Sequence, residues 1–189
     1  MRRSFLGVIS ALVIMFCISA APKRTANSRF KDEFLSSINQ IRHKGCNCGH
    51  IYMPPALPLT WNNDLESAAR GHALDMSERN YFSHTSKSGW SMSDRAIAAG
   101  YGFKGFKSYA IGENIAHGQM SIAEVMKGWM HSEGHCRNLM SPTFKEVGVA
   151  QVDTYWVQDF GGRQAFSPKE QEMIKSGKYK LIQKEVTER

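Results

Sequence analysis

Three short motifs place ionisable side chains inside otherwise aromatic and aliphatic stretches of this chain. His84 ends the run Tyr-Phe-Ser-His, Glu113 lies in Gly-Glu-Asn-Ile-Ala, and His135 follows Trp129 in a segment that closes on Gly-His-Cys-Arg-Asn. Imidazole and carboxylate groups are costly to remove from water unless they are paired, protonated or bound to a metal. We therefore expect a fold that brings the three groups together in one cleft.

The first twenty residues have the pattern of a secretory signal peptide. Arg2 and Arg3 precede an apolar run over residues 5–18, and small residues near Ala20 provide a cleavage site. We therefore expect residues 1–20 to be removed and the mature protein to be secreted or periplasmic, with no transmembrane segment.

Two other interpretations of this end are less favoured. A retained membrane anchor requires about 20 apolar residues, and the apolar run is shorter than that. Lipidation at Cys17 is disfavoured because Phe16 stands before it, where a lipid-modification signal requires a small residue.

Length and composition suit one folded domain with a basic surface. At 189 residues the chain is too short for two ordinary domains, and its 42% hydrophobic content excludes a disordered chain. Removal of Arg2 and Arg3 lowers the formal charge by two, from +7 to +5. A basic exported protein can lie on anionic lipid or a cell-envelope polymer, although lysines on a solvated surface explain the same excess. Because no Lys/Arg cluster alternates with aromatic residues, nucleic acid is not an expected partner.

Hydrophobic spacing predicts more helices than strands. The helices are expected over residues 28–44, 63–79 and 93–99, and after a capping box formed by Ser121 and Glu124. The strands are expected at 109–115, 146–152 and 155–160, the last two joined as a hairpin. The segment 45–59, rich in Gly and Pro, is typical of a crossing loop. This pattern favours an α+β fold with a mixed, mainly antiparallel sheet covered by helices.

Three cysteines remain once the signal is removed. Cys46 and Cys48 flank a single residue, so a bond between them would strain the preferred disulfide geometry. A bond from one of them to Cys136 is the better interpretation, since export permits disulfides. Metal binding by the Cys-x-Cys step is a weaker alternative, because it requires further soft ligands nearby.

The order and spacing of these motifs resemble the CAP superfamily, which includes cysteine-rich secretory proteins, antigen 5 and plant pathogenesis-related proteins. Its bacterial branch is the more similar. The matching features are Cys48-Gly49, Trp61-Asn62, Phe82-Ser83-His84, Asp94-Arg95, Gly112-Glu113-Asn114, Trp129 to Asn138 and Glu146 to Ala150. The resemblance implies a CAP (SCP) domain over residues 28–162 with the family's three-layer α-β-α sandwich. Residues 163–189 then form a charged C-terminal extension.

The resemblance also implies the site residues. It pairs Cys48 with Cys136, because the family's cysteine lies in a Cys-Gly step, and it leaves one cysteine free. It assigns His84 and His135 as metal ligands and places Glu113 in the same cleft. Neutral imidazoles are good ligands for zinc and other divalent ions, and two of them leave the coordination sphere open, so we expect weak binding.

The chain departs from the family at the second glutamate of its His-Glu-Glu-His tetrad. Where the eukaryotic branch has glutamate three residues after the tryptophan, this chain has Ser132. Glu133, the next residue, is our first choice for the missing carboxylate, so we expect Ser132 and Glu133 to belong to the cleft. Glu113 and Glu133 are the candidates for any catalytic acid–base role.

Two functions are consistent with these residues. The first is an exported binding module, whose cleft holds a divalent metal and whose surface engages a lipid, glycan or protein ligand, as the resemblance implies. The second is a metal-assisted hydrolase, with His84 and His135 as ligands and Glu113 positioning water. The missing second glutamate and the lack of a Gly-x-Ser-x-Gly motif favour the binding module over a classical enzyme.

The N-terminal pattern yields a direct prediction. N-terminal sequencing of the exported protein should find a mature chain that begins around Ala21 or Pro22, because the small residues near Ala20 are the ones a signal peptidase accepts. A membrane-bound product that still carries Met1 would contradict the prediction.

Overall fold

The computed structural model of the chain describes residues 26–102 and 104–179. The expected signal peptide, residues 1–20, lies outside these described residues. The described helices are α1 Ala26–Lys44, α2 Asn63–Glu78, α3 Met92–Ala98, α4 Ile122–His131, α5 Glu133–Met140 and α6 Pro168–Lys175. The described strands are β1 Cys46–Cys48, β2 Ile51–Met53, β3 Thr60–Trp61, β4 Ser108–His117, β5 Glu146–Val152 and β6 Tyr155–Gln164.

Four strands form one mixed sheet in the order β3-β5-β6-β4. β5 and β6 are the expected hairpin, and Asp153 at the turn has a positive φ of 51°. β4 pairs antiparallel with β6 over its whole length, whereas the short β3 pairs parallel with β5. β4 is therefore an edge strand of this sheet, and its outer side is open to residues from the helices.

Alternating side chains along β5 separate the two helical layers. Val147 and Val149 face one layer and join a core with Phe34 of α1 and Trp129 of α4. Ala150, on the opposite face, packs in a second core that includes Ala69 of α2. The expected α+β fold, a three-layer α-β-α sandwich around a mixed, mainly antiparallel sheet, is confirmed.

Gly148 sets how closely α2 approaches the sheet. A Cβ atom at this position would overlap the backbone nitrogen of Glu66 and the carbonyl carbon of Leu65. Leu65 is fully buried, and α2 makes its main contacts with β5 and β6. Glycine at this position is therefore what allows the helix backbone to lie directly on the strand.

The structure differs from the sequence expectation in three segments. The expected loop 45–59 contains the β1–β2 hairpin, and the segment after Ser132, which is not among the expected helices, forms α5. The Ser121 hydroxyl accepts from the backbone N–H of Glu124, as expected for a capping box. The Glu124 carboxylate, however, accepts from the backbone N–H of Met120 and not from that of Ser121. Each element is short, so its few residues carry little periodic signal.

The disulfide between Cys48 and Cys136 is confirmed. It joins the β1–β2 hairpin to α5, and both cysteines are fully buried. Cys46 is the free cysteine of the described residues. Among the helices of the described part of the chain, none has the length and apolar character needed to cross a membrane.

The close approach at Gly148 predicts a large stability loss on substitution. Gly148→Ala should lower the free energy of unfolding by about 1–3 kcal/mol, because the methyl group has to push α2 away from β5. Gly128→Ala is the matched control: nothing lies within 4 Å of the added Cβ, and alanine favours the helix. Urea denaturation of both variants measures the difference, and equal stability would contradict the close packing.

Candidate functional site

A cleft of about 700 Å³ lies at the open edge of the sheet, beside β4. His84 and Glu113 line it together with Ser132 and His135. His84 comes from the loop after α2 on one side of the sheet, whereas His135 comes from α5 in the other layer. The structure therefore brings the three ionisable groups singled out in the sequence to one cleft, at the edge where the two helical layers meet.

Glu113 connects His84 to a buried arginine. Its Oε1 lies 2.7 Å from Nδ1 of His84, and its Oε2 lies 2.6 Å from a terminal nitrogen of Arg95. The Glu113 side chain is fully buried and Arg95 is 7% exposed, while His84 is 52% exposed. The carboxylate thus holds one ring nitrogen of His84 and leaves Nε2 for a ligand in the cleft.

The ionic state of Glu113 follows from these partners. Burial alone would raise its pKa, but the hydrogen bond from His84 and the charge of Arg95 outweigh burial and hold the pKa below its ordinary value of 4.5. Glu113 is therefore a carboxylate at neutral pH, paired on both oxygens.

Arg95 also fixes the loop that carries His84. One terminal nitrogen donates to the Ser86 hydroxyl and to the Trp90 carbonyl, at 3.1 and 3.0 Å, and the other donates to the His84 carbonyl at 3.0 Å. His72 is buried, and its Nε2 lies 2.8 Å from the Ser83 carbonyl oxygen. The loop is thus tied to α2 and α3 on both sides of His84.

Two asparagines fix the opposite side of the cleft. Asn114 donates to the His135 carbonyl at 3.2 Å, and Asn138 donates to the Glu113 carbonyl at 3.1 Å and to the Asn114 side chain at 2.9 Å.

Burial, and next the charge of His84, lower the pKa of His135 below 6.5. His135 is therefore neutral at physiological pH, which is the form that binds metals.

The donor set fits a weakly held divalent ion. His84 and His135 offer two imidazoles, and Glu113 acts on His84 because both of its oxygens are already engaged. Among the residues that the structure describes, the ligand atoms of Cys46, Cys48 and Cys136 form a compact group of three. His84, Glu113 and His135 do not form such a group. A divalent ion held by the two imidazoles would take its remaining ligands from water or from a bound molecule.

Asp159 is a buried acid beside this network that the sequence reasoning missed. It pairs with Glu113 in the β4–β6 register, is fully buried, and neither of its carboxyl oxygens has a hydrogen-bond partner among the described residues. Burial, and next the charge of Glu113, raise the pKa of Asp159 well above its ordinary value. Burial therefore favours the protonated, neutral form of Asp159.

The second carboxylate expected in the cleft is not supplied by Glu133. The Glu133 side chain is 48% exposed, and its Oε1 lies 3.9 Å from Nη1 of Arg137, one turn further along α5. Glu133 is not among the residues that line the cleft. Ser132 lines the cleft, as expected, immediately before α5 begins. Glu146 accepts from Tyr101 and Arg163, remote from the cleft. The Glu133 carboxylate instead lies against Gly49, in the turn between β1 and β2.

Comparison with known proteins identifies the family. The profile of the cysteine-rich secretory protein family, CAP, matches residues 35–160, which contain every residue of the cleft described above. The chain belongs to this family.

Two curated relatives from Bacillus subtilis (strain 168) share this region. The uncharacterized protein YkwD is 39% identical over 108 residues, which is 56% of this chain and 40% of the relative. The uncharacterized membrane protein YlbC is 35% identical over 102 residues, which is 54% of this chain and 28% of the relative. The chain therefore spans less than half the length of these relatives.

Solved structures have the same fold. An extracellular protein containing an SCP domain from Bacillus anthracis str. Ames superposes with a TM-score of 0.55 at 27% identity, over 74% of this chain and 44% of that one. An outer surface protein from Borrelia burgdorferi gives a TM-score of 0.58 at 21% identity, over 77% of this chain and 100% of that one. At 21% identity, the similarity to the Borrelia burgdorferi protein supports only a shared fold.

The buried ion pair predicts the effect of removing its cation. Arg95→Met should lower the free energy of unfolding by about 3–5 kcal/mol at neutral pH, because Glu113 is left as a buried charge without its cation. Arg79→Met is the matched control, since Arg79 is 53% exposed in its pair with Asp75 and should cost less than about 1 kcal/mol. Urea denaturation measures both variants.

The same pair gives the pH dependence a defined sign. Because the pKa of Glu113 is lowered in the folded protein, its charge stabilises the fold above 4.5, and that contribution is lost as pH falls through the lowered pKa. The free energies of unfolding of Arg95→Met and of the parent protein should therefore approach each other in acid. A difference that stays constant across the acid range would contradict the assignment to Glu113.

Proposed function

We propose that this CAP-domain protein is an exported binding module whose cleft holds a divalent metal between His84 and His135. The observation that carries the proposal is that imidazoles from two different layers line one cleft, with His84 oriented by a buried carboxylate. Support for export comes from the N-terminal pattern and from the Bacillus anthracis relative, which is described as extracellular.

The chain's own residues define what each would do at the metal. His84 and His135 would hold it, and Glu113 would keep the His84 ring in the orientation and tautomer that present Nε2. A bound divalent ion supplies a positive centre that attracts an oxygen ligand. Asn138 and Ser132, which line the same cleft, offer neutral hydrogen-bonding groups beside that position.

The lining favours a ligand with polar oxygens. Arg137, Asn138 and Ser141 line the cleft together with the apolar Met53 and Phe144. This mixture suits a glycan or a lipid headgroup of the cell envelope better than a wholly apolar molecule, because buried polar groups need partners. The excess of basic residues in the whole chain is consistent with an anionic envelope surface.

Binding is favoured over catalysis by the state of Glu113. Both of its oxygens are engaged, by His84 and by Arg95, and its side chain is fully buried, so it is poorly placed to activate a water molecule in the cleft. Glu133 lies outside the cleft lining and does not replace it. A metal-assisted hydrolase, with His84 and His135 as ligands and Glu113 positioning water, is the second candidate, and the presence of all three residues in one cleft favours it.

Zinc titration tests the metal site. Calorimetry on the oxidised protein, in which Cys48 and Cys136 are not available as ligands, should show one zinc site that His84→Ala or His135→Ala abolishes. His131→Ala is the matched control, because His131 is exposed on α4 and bonds the Lys127 carbonyl. Affinity should fall in acid as His135 becomes protonated below its lowered pKa, because a protonated imidazole cannot bind a metal. Unchanged zinc binding in both site variants would refute the proposal.

Glu113→Gln separates the two functions. In a binding module the change should lower zinc affinity by about 10-fold or more, because the carboxylate that orients His84 is lost, and neither the parent nor the variant should turn over model esters or peptides. In a hydrolase it should abolish turnover of model esters or peptides while zinc still binds. Turnover that needs both zinc and Glu113 would favour the second candidate.

A further inference from the structure

Three sulfur atoms meet at the junction of β1 and α5. Cys46 and Cys48 are two residues apart on β1, so their side chains leave the strand on the same face. Cys48 is bonded to Cys136 of α5, and the free Sγ of Cys46 lies 3.9 Å from Sγ of Cys136. The sulfur atoms of all three cysteines lie within 4.8 Å of one another. A free thiol thus stands next to a disulfide within the same buried cluster.

We propose that these cysteines form a thiol–disulfide exchange centre, in which Cys46 displaces Cys48 from Cys136. The Cys46 thiolate attacks Sγ of Cys136, the Cys46–Cys136 bond forms, and the Cys48–Cys136 bond breaks. Cys48 leaves as a thiolate and takes up the proton that Cys46 gave to solvent. One disulfide and one thiol are present before and after the step, so no oxidant or reductant is consumed.

Cys136 is the sulfur that the geometry favours as the target. Attack on Cys48 instead would link Cys46 to Cys48 across a single residue, a small ring that strains disulfide geometry. Attack on Cys136 joins two segments that are 90 residues apart and already in contact. Because the sulfur atoms converge, the exchange needs only a small movement of the β1–β2 hairpin, whose strands pair only with each other in the described sheets.

The exchange would act on the wall of the cleft. Cys136 follows His135 directly in α5, and Met53, the strand partner of Cys46, lines the cleft. Moving the covalent link from Cys48 to Cys46 shifts the hairpin relative to α5 and so changes this wall. Burial raises the pKa of Cys46, which keeps its thiol protonated and makes the exchange slow at neutral pH. The inference does not depend on the proposed metal site.

Disulfide mapping tests the exchange in the full mature protein. The protein is incubated at a pH well above 9.0, the ordinary thiol pKa, because the pKa of Cys46 is raised. It is then quenched in acid, and its free thiol is blocked with N-ethylmaleimide before digestion. We expect a second isomer to accumulate with time, with Cys46 linked to Cys136 and the label on Cys48. Label confined to Cys46 at every time point would overturn the proposal.

Two variants sharpen the result. Cys48→Ala, equilibrated in a glutathione redox buffer, should form the Cys46–Cys136 bond and lose the mass of two hydrogens relative to its reduced form. Cys46→Ala is the matched control and should retain Cys48–Cys136 with no second isomer. Two free thiols in folded Cys48→Ala, checked by circular dichroism, would also overturn the proposal. Should Cys48→Ala fail to fold, the time course on the unaltered protein decides.

Discussion

The ion pair between Arg95 and Glu113 holds the site together from inside the protein. The two groups meet at 2.6 Å with almost no solvent access, so each supplies the charge that makes burial of the other tolerable. Through its remaining donors Arg95 fixes the loop around His84, and through its other oxygen Glu113 orients the imidazole. The position of His84 therefore depends on a residue of α3 that does not reach the opposite wall of the cleft.

Much of the fold could be predicted because its main elements carry periodic signals. The long helices α1 and α2 and the hairpin of β5 and β6 lie close to their expected bounds, since each has enough residues for its apolar period to show. The hairpin of β1 and β2 has three residues in each strand, too few for a pattern to emerge, and α5 has a glycine at its second position and no side-chain cap to signal its start. Those elements are fixed by the disulfide that joins them.

His84, Glu113 and His135 could be predicted for one cleft, because each stands in a short motif that the sequence shows directly. Asp159 lies between Gln158 and Phe160 in a strand, and nothing in that order reveals that the β4–β6 register sets it opposite Glu113. Glu133 follows Ser132 in sequence, yet the start of α5 directs it away from the cleft. Strand register and helix phase decide both cases, and neither can be read from composition.

The pairing of Asp159 with Glu113 sets two carboxyl groups side by side in the buried sheet, with Arg95 paired to one of them. The pKa of Glu113 is lowered and the pKa of Asp159 is raised, so the arrangement favours one negative charge opposite the one positive charge of Arg95. The wall beneath His84 therefore tends toward electrical neutrality, although it contains three ionisable side chains.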